Sequence, residues 1–239
     1  PAEGILPASV QNDPITALAT ASSSSSTFPS ASTPTLAIYN LYQYLTLQPF
    51  YERLLGPISM SLEAENNSIS QAIAQNSLLL STDGSFDPAT STGAHGWVIA
   101  TEETILWQGA GPADGHAKLM SPYRAELSGI VAGLHILQCT IKFNSITRGT
   151  AILYSDCEKA INTITHKTYK GIIDYLIPDN DLVQEAKEII NSIPIKVSLQ
   201  WVKGHYSGKE PSRAHTLNKQ ANDLAKAYLK HPHHRFIPS

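Results

Sequence analysis

Three carboxylates, each beside a break between regular elements, are the residues of this sequence best placed to do chemistry. Asp83 follows the apolar run Leu78-Leu79-Leu80 and precedes Gly84. Asp156 follows a second apolar run, residues 151–154, and Glu126 lies just inside a helix that Ser121 and Pro122 open. Each has an ordinary explanation when taken alone. An Asp before Gly serves turns, a Glu in the first turns of a helix complements its dipole, and an Asp ahead of a helix caps it. As an ordered set they form a donor group of another kind. Clustered carboxylates repel one another and resist burial, and a hard cation resolves that conflict. Oxygen-only ligands match Mg²⁺ or Mn²⁺ rather than zinc. Two such ions, about 3.5–4 Å apart, can clamp the attacking and leaving oxygens of a phosphodiester.

The elements that must position these groups can be read from periodicity. Residues 78–80 form a buried strand meeting a turn at 81–84. Residues 95–100 and 104–110 are strand-like and flank the polar link Thr101-Glu102-Glu103, a hairpin pattern. Ser121 is a good N-cap and Pro122 suits the first helical position. Leu127, Ile130, Val131, Leu134 and Leu137 then recur at helical spacing. A strand at 151–154, a helix at 157–164, a helix at 181–191, a strand at 195–202 and a helix at 216–229 complete the order β-β-β-α-β-α-α-β-α. This is an α/β domain with a five-stranded mixed sheet and helices packed on it. Ligands of such sheets gather where strands end. If the first and fourth strands are neighbours, Asp83 and Asp156 converge and Glu126 faces them.

Composition narrows the setting. The 239 residues are 42% hydrophobic and 15% charged, with a net charge of −3. No run of about 20 apolar residues exists to span a membrane, and the N-terminus lacks the plan of a signal peptide. An intracellular rather than secreted protein is expected, with Cys139 and Cys157 as free thiols. The net charge hides a gradient: residues 1–149 carry 5 Lys+Arg against 11 Asp+Glu, and residues 195–239 carry 8 against 2. A basic final third suits a phosphate backbone, although on charge alone a solvated helix face is the better reading. Residues 1–34 are rich in Ser, Ala, Thr and Pro and read as a flexible segment. Residues 35–75 read as partly helical, 76–230 as the sheet domain and 231–239 as a frayed tail.

Five stretches in series carry a family resemblance. They are Thr82-Asp83-Gly84-Ser85, Arg124-Ala125-Glu126-Leu127, Tyr154-Ser155-Asp156, Trp201-Val202-Lys203-Gly204-His205, and residues 218–225. In order and spacing they resemble type 1 ribonuclease H, of the ribonuclease H-like superfamily. The resemblance implies a five-stranded mixed sheet with helices on both faces, two Mg²⁺ ions (Mn²⁺ able to substitute), and hydrolysis of the RNA strand of RNA–DNA hybrids. It implies that Asp83, Glu126 and Asp156 are metal ligands and that His205 is the loop histidine assisting proton transfer or product release. His95, His116, His135 and His215 match nothing in the pattern and are read as structural.

One position departs from the pattern. Where the family places a fourth acidic ligand, this chain has Asn222, whose amide is neutral and offers one oxygen. Asp223 is adjacent but about 100° around the helix, and needs a local shift to substitute. A deliberate change and a natural, decayed copy both fit. Hybrid contacts are expected from backbone groups near Gly84 and Ser85, from the loop between Lys203 and Arg213, and from Lys219 and Lys226. Residues 165–181 look apolar rather than basic, so weak stand-alone affinity is expected. Tethering would offset that weakness: related domains often follow a reverse transcriptase in retroelement polyproteins, and a chain opening on Pro1 fits a piece of one. A monomer is expected. Three readings compete: a hybrid endonuclease, a non-catalytic hybrid-binding or scaffold module favoured by Asn222, and another nuclease or integrase of the same superfold.

Overall fold

The computed structural model describes residues 40–56, 58–60, 67–166 and 178–231. The expectations for residues 1–34, for the apolar stretch at 167–177 and for the tail beyond His231 lie outside the described residues.

The five expected strands all form, and a sixth joins them. In chain order the elements are α1 (Leu41–Thr46), α2 (Tyr51–Leu54), β1 (Ile58–Met60), α3 (Asn67–Ala74), β2 (Leu78–Asp87), β3 (Thr92–Ala100) and β4 (Ile105–Pro112). After a short 3-10 turn (Ala117–Leu119) come α4 (Pro122–Phe143), β5 (Thr150–Ser155), α5 (Glu158–Thr165), α6 (Asn180–Ser192), β6 (Lys196–Trp201) and α7 (Arg213–Lys230). The strands lie in the order β1-β4-β3-β2-β5-β6. Pairs β1–β4, β4–β3 and β3–β2 are antiparallel, whereas β2–β5 and β5–β6 are parallel. The sheet is therefore mixed, and the first and fourth strands of the sequence reading are neighbours.

Alternation along the central strands loads both faces. Leu78, Leu80, Trp97 and Ile99 point into the larger core, with Leu127, Ile130 and Leu134 of α4. Leu79, Val98 and Ala100 point to the opposite face, against Leu217, Ala221 and Leu224 of α7. Helices cover both faces for that reason. Gly96 of β3 lets α7 sit close, since a Cβ there would collide with the backbone of Ala221.

The helix starts follow their caps. Ser121 accepts a hydrogen bond from Arg124 N at 3.0 Å, with Pro122 in the first turn. Helix α7 begins at Arg213, one turn earlier than the apolar pattern suggests, because Ser212 caps it and His215 completes the cap reciprocally. The upstream residues build three short helices and β1. Leu41, Leu45 and Leu54 are fully buried in the larger core, and Arg53 of α2 pairs with Asp114 and Glu185.

One positional expectation needs correcting. Asp83 does not end its strand, because β2 runs on to Asp87. The parallel partner β5 stops at Ser81↔Tyr154, while β3 continues alongside from Asp83↔Gly96 to Asp87↔Thr92. Asp83 thus stands just past the point where its parallel neighbour leaves, and the turn falls after Asp87 instead.

Candidate metal centre and cleft

The parallel pairing of β2 with β5 brings the first two carboxylates to one end of the sheet. Asp83 lies two residues beyond Ser81, and Asp156 two beyond the paired Tyr154. Gly84 admits the third. A Cβ at Gly84 would collide with the backbone of Ala125 and Glu126, so only glycine lets β2 and the start of α4 approach this closely. Asp83, Glu126 and Asp156 each present an oxygen within 4.8 Å of the others.

The electrostatics of the cluster are unresolved by protein groups. Asp83 is 5% exposed. Burial, and then the charge of Asp156, push its carboxyl up to about 7. Glu126 is held well above the usual carboxylate range by burial and by both aspartates, and its Oε2 is buried without a hydrogen-bond partner. No Lys or Arg among the described residues forms an ion pair with any of the three. An orphaned carboxylate oxygen in an all-oxygen donor set without an ion-pair partner fits a hard divalent cation.

The residues after β6 hold Asp156 in place. Trp201 Nε1 donates to the Asp156 carbonyl at 3.0 Å, Val202 N–H donates to the Ser155 carbonyl at 3.1 Å, and Gly204 lies against the Asp156 carboxylate. His205 adopts a left-handed backbone, with φ of 49°. That turn carries the chain from the sheet edge into the loop.

A cleft of about 480 Å³ opens beside the cluster. It brings Asp83 and Asp156 together with Lys203, His205, Lys219, Asn222 and Asp223. Asn222 is half-buried on the cleft side of α7. Asp223 is exposed and its carboxylate is taken by Lys219 Nζ at 2.6 Å. Lys226 lies near enough to Asp83 to oppose its rise. Arg213 does not line the cleft: its Nε donates to the Thr101 carbonyl at 3.0 Å, tying α7 to the β3–β4 link. Gly84 is committed to packing against α4, and Ser85 continues β2 opposite Ala94.

Of the histidines read as structural, two are bound inside the fold and His116 is held at the surface by a local bond. His95 Nε2 bonds the Leu54 carbonyl at 2.9 Å, His135 Nε2 meets Glu185 at 2.7 Å, and His116 Nδ1 accepts from Lys118 N. His215 differs, since it lines the cleft and stacks on Tyr206. Neither Tyr206 nor His215 stood out in the sequence; their spacing follows no helical or strand period. Both thiols are held by burial well above neutrality, at about 11, and both are free.

A mixed sheet covered by helices on both faces, with a carboxylate cluster where its parallel strands diverge, defines a ribonuclease H-like α/β domain. The family model for RNase H matches residues 75–230, and the chain belongs to that family. Similar solved structures include RNase H1 from the halophilic archaeon Halobacterium salinarum, at 17% identity and a TM-score of 0.45, covering 64% of this chain and 97% of that one. The N-terminal RNase H domain of Rv2228c from Mycobacterium tuberculosis, solved as a fusion with maltose-binding protein, shows 16% identity and a TM-score of 0.41, with 65% and 97% covered. LC11-RNase H1, solved with an RNA/DNA hybrid, shows 12% identity and a TM-score of 0.45, with 64% and 99% covered. No curated protein matches the chain. Among the described residues, no helix is long and apolar enough to cross a membrane.

Proposed function

We propose that this chain hydrolyses the RNA strand of RNA–DNA hybrids with two divalent metal ions, at a rate reduced by Asn222. The observation that carries the reading is the convergence of Asp83, Glu126 and Asp156 in a chain of the RNase H family. These three residues would hold Mg²⁺, or Mn²⁺ in its place, with Asn222 as a weak fourth donor and Asp223 reaching the site only if its pairing with Lys219 breaks. The bound ions supply polarisation of the scissile phosphate and activation of water. The chain's own groups do the rest. His205, exposed at the cleft mouth, exchanges a proton with the departing strand. Lys203 and Lys219 face the phosphates across the cleft, and Lys226 offsets the charge at Asp83.

The reading extends to context. The chain acts as a monomeric, intracellular domain of a retroelement polyprotein that receives hybrid from a reverse transcriptase fused upstream. The basic final third supports hybrid binding. Asn222 in the cleft favours a second reading, a module that binds hybrid without cutting it. One experiment decides: labelled hybrid, double-stranded RNA and DNA duplex are each incubated with the chain and Mg²⁺ or Mn²⁺. Cleavage of RNA in the hybrid alone is expected. Binding without cleavage selects the second reading, and cutting or joining of DNA strands overturns both.

A further inference from the structure

Part of the cleft wall is aromatic. Tyr206 and His215 both line it. Their rings stack with centroids 4.1 Å apart and planes 24° from parallel. The His215 ring is fixed to the first turn of α7, because the Ser212 N–H donates to Nδ1 and the Ser212 hydroxyl lies 2.7 Å from the same nitrogen. Tyr206 is 41% exposed, and its phenol end lies over Gly208, where a Cβ would collide with the ring.

Neither ring belongs to a hydrophobic core cluster. A stack that served only to staple the loop to α7 would gain most by being buried. This one instead stands open to a cleft of about 480 Å³, within the size range of sites that hold small organic ligands. Lys203 and Asp156 share the same space. A flat, pre-ordered aromatic surface beside a cation and a metal-fitting carboxylate suits one nucleotide: base on the rings, phosphate toward the lysine. Bases within a duplex are stacked on each other and offer no free face, whereas an unpaired base does.

We propose that the Tyr206–His215 pair is a stacking platform for one unpaired nucleobase beside the metal centre, so that the cleft prefers hybrids carrying a single-stranded flank or junction. This rests on the hybrid-nuclease reading and adds a substrate class to it. The test measures binding by the full chain in chelator, where metal-dependent cleavage is silent. The probes are a blunt hybrid, the same hybrid with a short flank, and the flank strand alone, with 2-aminopurine as the first unpaired base in the RNA and then in the DNA strand. The flanked hybrid is expected to bind about tenfold more tightly than the blunt one, with quenching of the probe, which is the scale of one base–aromatic stack. Tyr206→Ser abolishes that preference and Tyr206→Phe retains it. Equal affinity for flanked and blunt hybrids, or a preference that survives Tyr206→Ser, overturns the platform and leaves the nuclease reading standing. Failure of every hybrid to bind, with Tyr206-dependent quenching of the single strand, removes the hybrid reading and leaves the platform.

Discussion

Gly204 lies so close to the Asp156 carboxylate that no side chain fits between them. The loop after β6 and the acid after β5 are therefore set by one contact, made possible by the parallel pairing of the two strands. Replacing Gly204 with Ala must displace either the carboxylate or the loop. Displacing the carboxylate acts like loss of a supporting partner around a metal ligand, which typically weakens binding about 10–100-fold. Calorimetric titration of Gly204→Ala with Mn²⁺ is expected to show at least the lower of those losses. Unchanged affinity would mean that the loop gives way and Asp156 keeps its place.

The carboxylate cluster should make the metal-free protein less stable as pH rises. Burial and the charge of Asp156 lift Asp83 to about 7, above the range of about 4 expected in the unfolded chain. The folded state then holds the proton more tightly, so this stability is present below about pH 4 and is lost as pH rises toward 7. Asp83→Asn removes the charge. In chelator at pH 8 it is expected to melt higher than the parent by about 2–4 °C per kcal/mol regained. Mg²⁺ should raise the parent's melting temperature and not the variant's. A variant that melts lower than the parent in chelator would show that Asp83 is stabilising without metal.

Much of this arrangement could be read from the residues in order. The apolar runs at 78–80 and 151–154 and the cap Ser121-Pro122 located β2, β5 and α4, and with them the three acids, because each rests on a local rule. What could not be read rests on contacts between elements. The strand Ile58–Met60 is too short to carry a period and forms only because β4 offers an edge. Arg213 looks like a phosphate ligand by charge, yet a carbonyl of the β3–β4 link claims it. Sequence fixes neither partner. The start of α7 at Ser212 was obscured because His215, rather than Glu or Gln, completes the cap. The cap also holds His215 at the cleft wall, nine positions along the chain from Tyr206.

His95 should impose the opposite pH dependence. Its imidazole is fully buried in β3, bonds the Leu54 carbonyl, and is pushed by burial down to about 4. The unfolded chain takes up the proton first, near pH 6.5. The stability of the neutral form is therefore present above pH 6.5 and is lost as pH falls toward 4. The comparison of parent with His95→Gln isolates this from the carboxylates. The parent's advantage in chemical denaturation is expected to shrink by about 2 kcal/mol between pH 7.5 and 5. A gap independent of pH would mean that His95 is not held neutral.

The upstream helices should be needed for stability. Leu45 of α1 is fully buried in the same core as Leu127 and Leu134, although it lies some 30 residues before the span matched by the family model. Leu45→Ala is expected to cost about 2–5 kcal/mol in urea denaturation, as for a large-to-small change in a packed core. A cost below about 0.5 kcal/mol, the scale of surface substitutions, would show that α1 is only loosely attached.

Asn222 is where the rate should respond most. It shares the cleft with Asp83 and Asp156, and it is half-buried, whereas Asp223 points to solvent and is occupied by Lys219. Restoring a carboxylate at 222 adds a charged oxygen where the ligand set has only an amide, without requiring Asp223 to abandon its partner. Because even outer partners of metal ligands shift activity by about 10–100-fold, Asn222→Asp is expected to raise Mg²⁺-dependent hybrid cleavage by at least about tenfold. Asp223→Asn offers the control. If Asp223 were the working ligand, its loss would lower the parent's rate, whereas an unchanged rate leaves position 222 as the place that responds. Equal rates for parent and Asn222→Asp would mean that position 222 contributes nothing to metal binding.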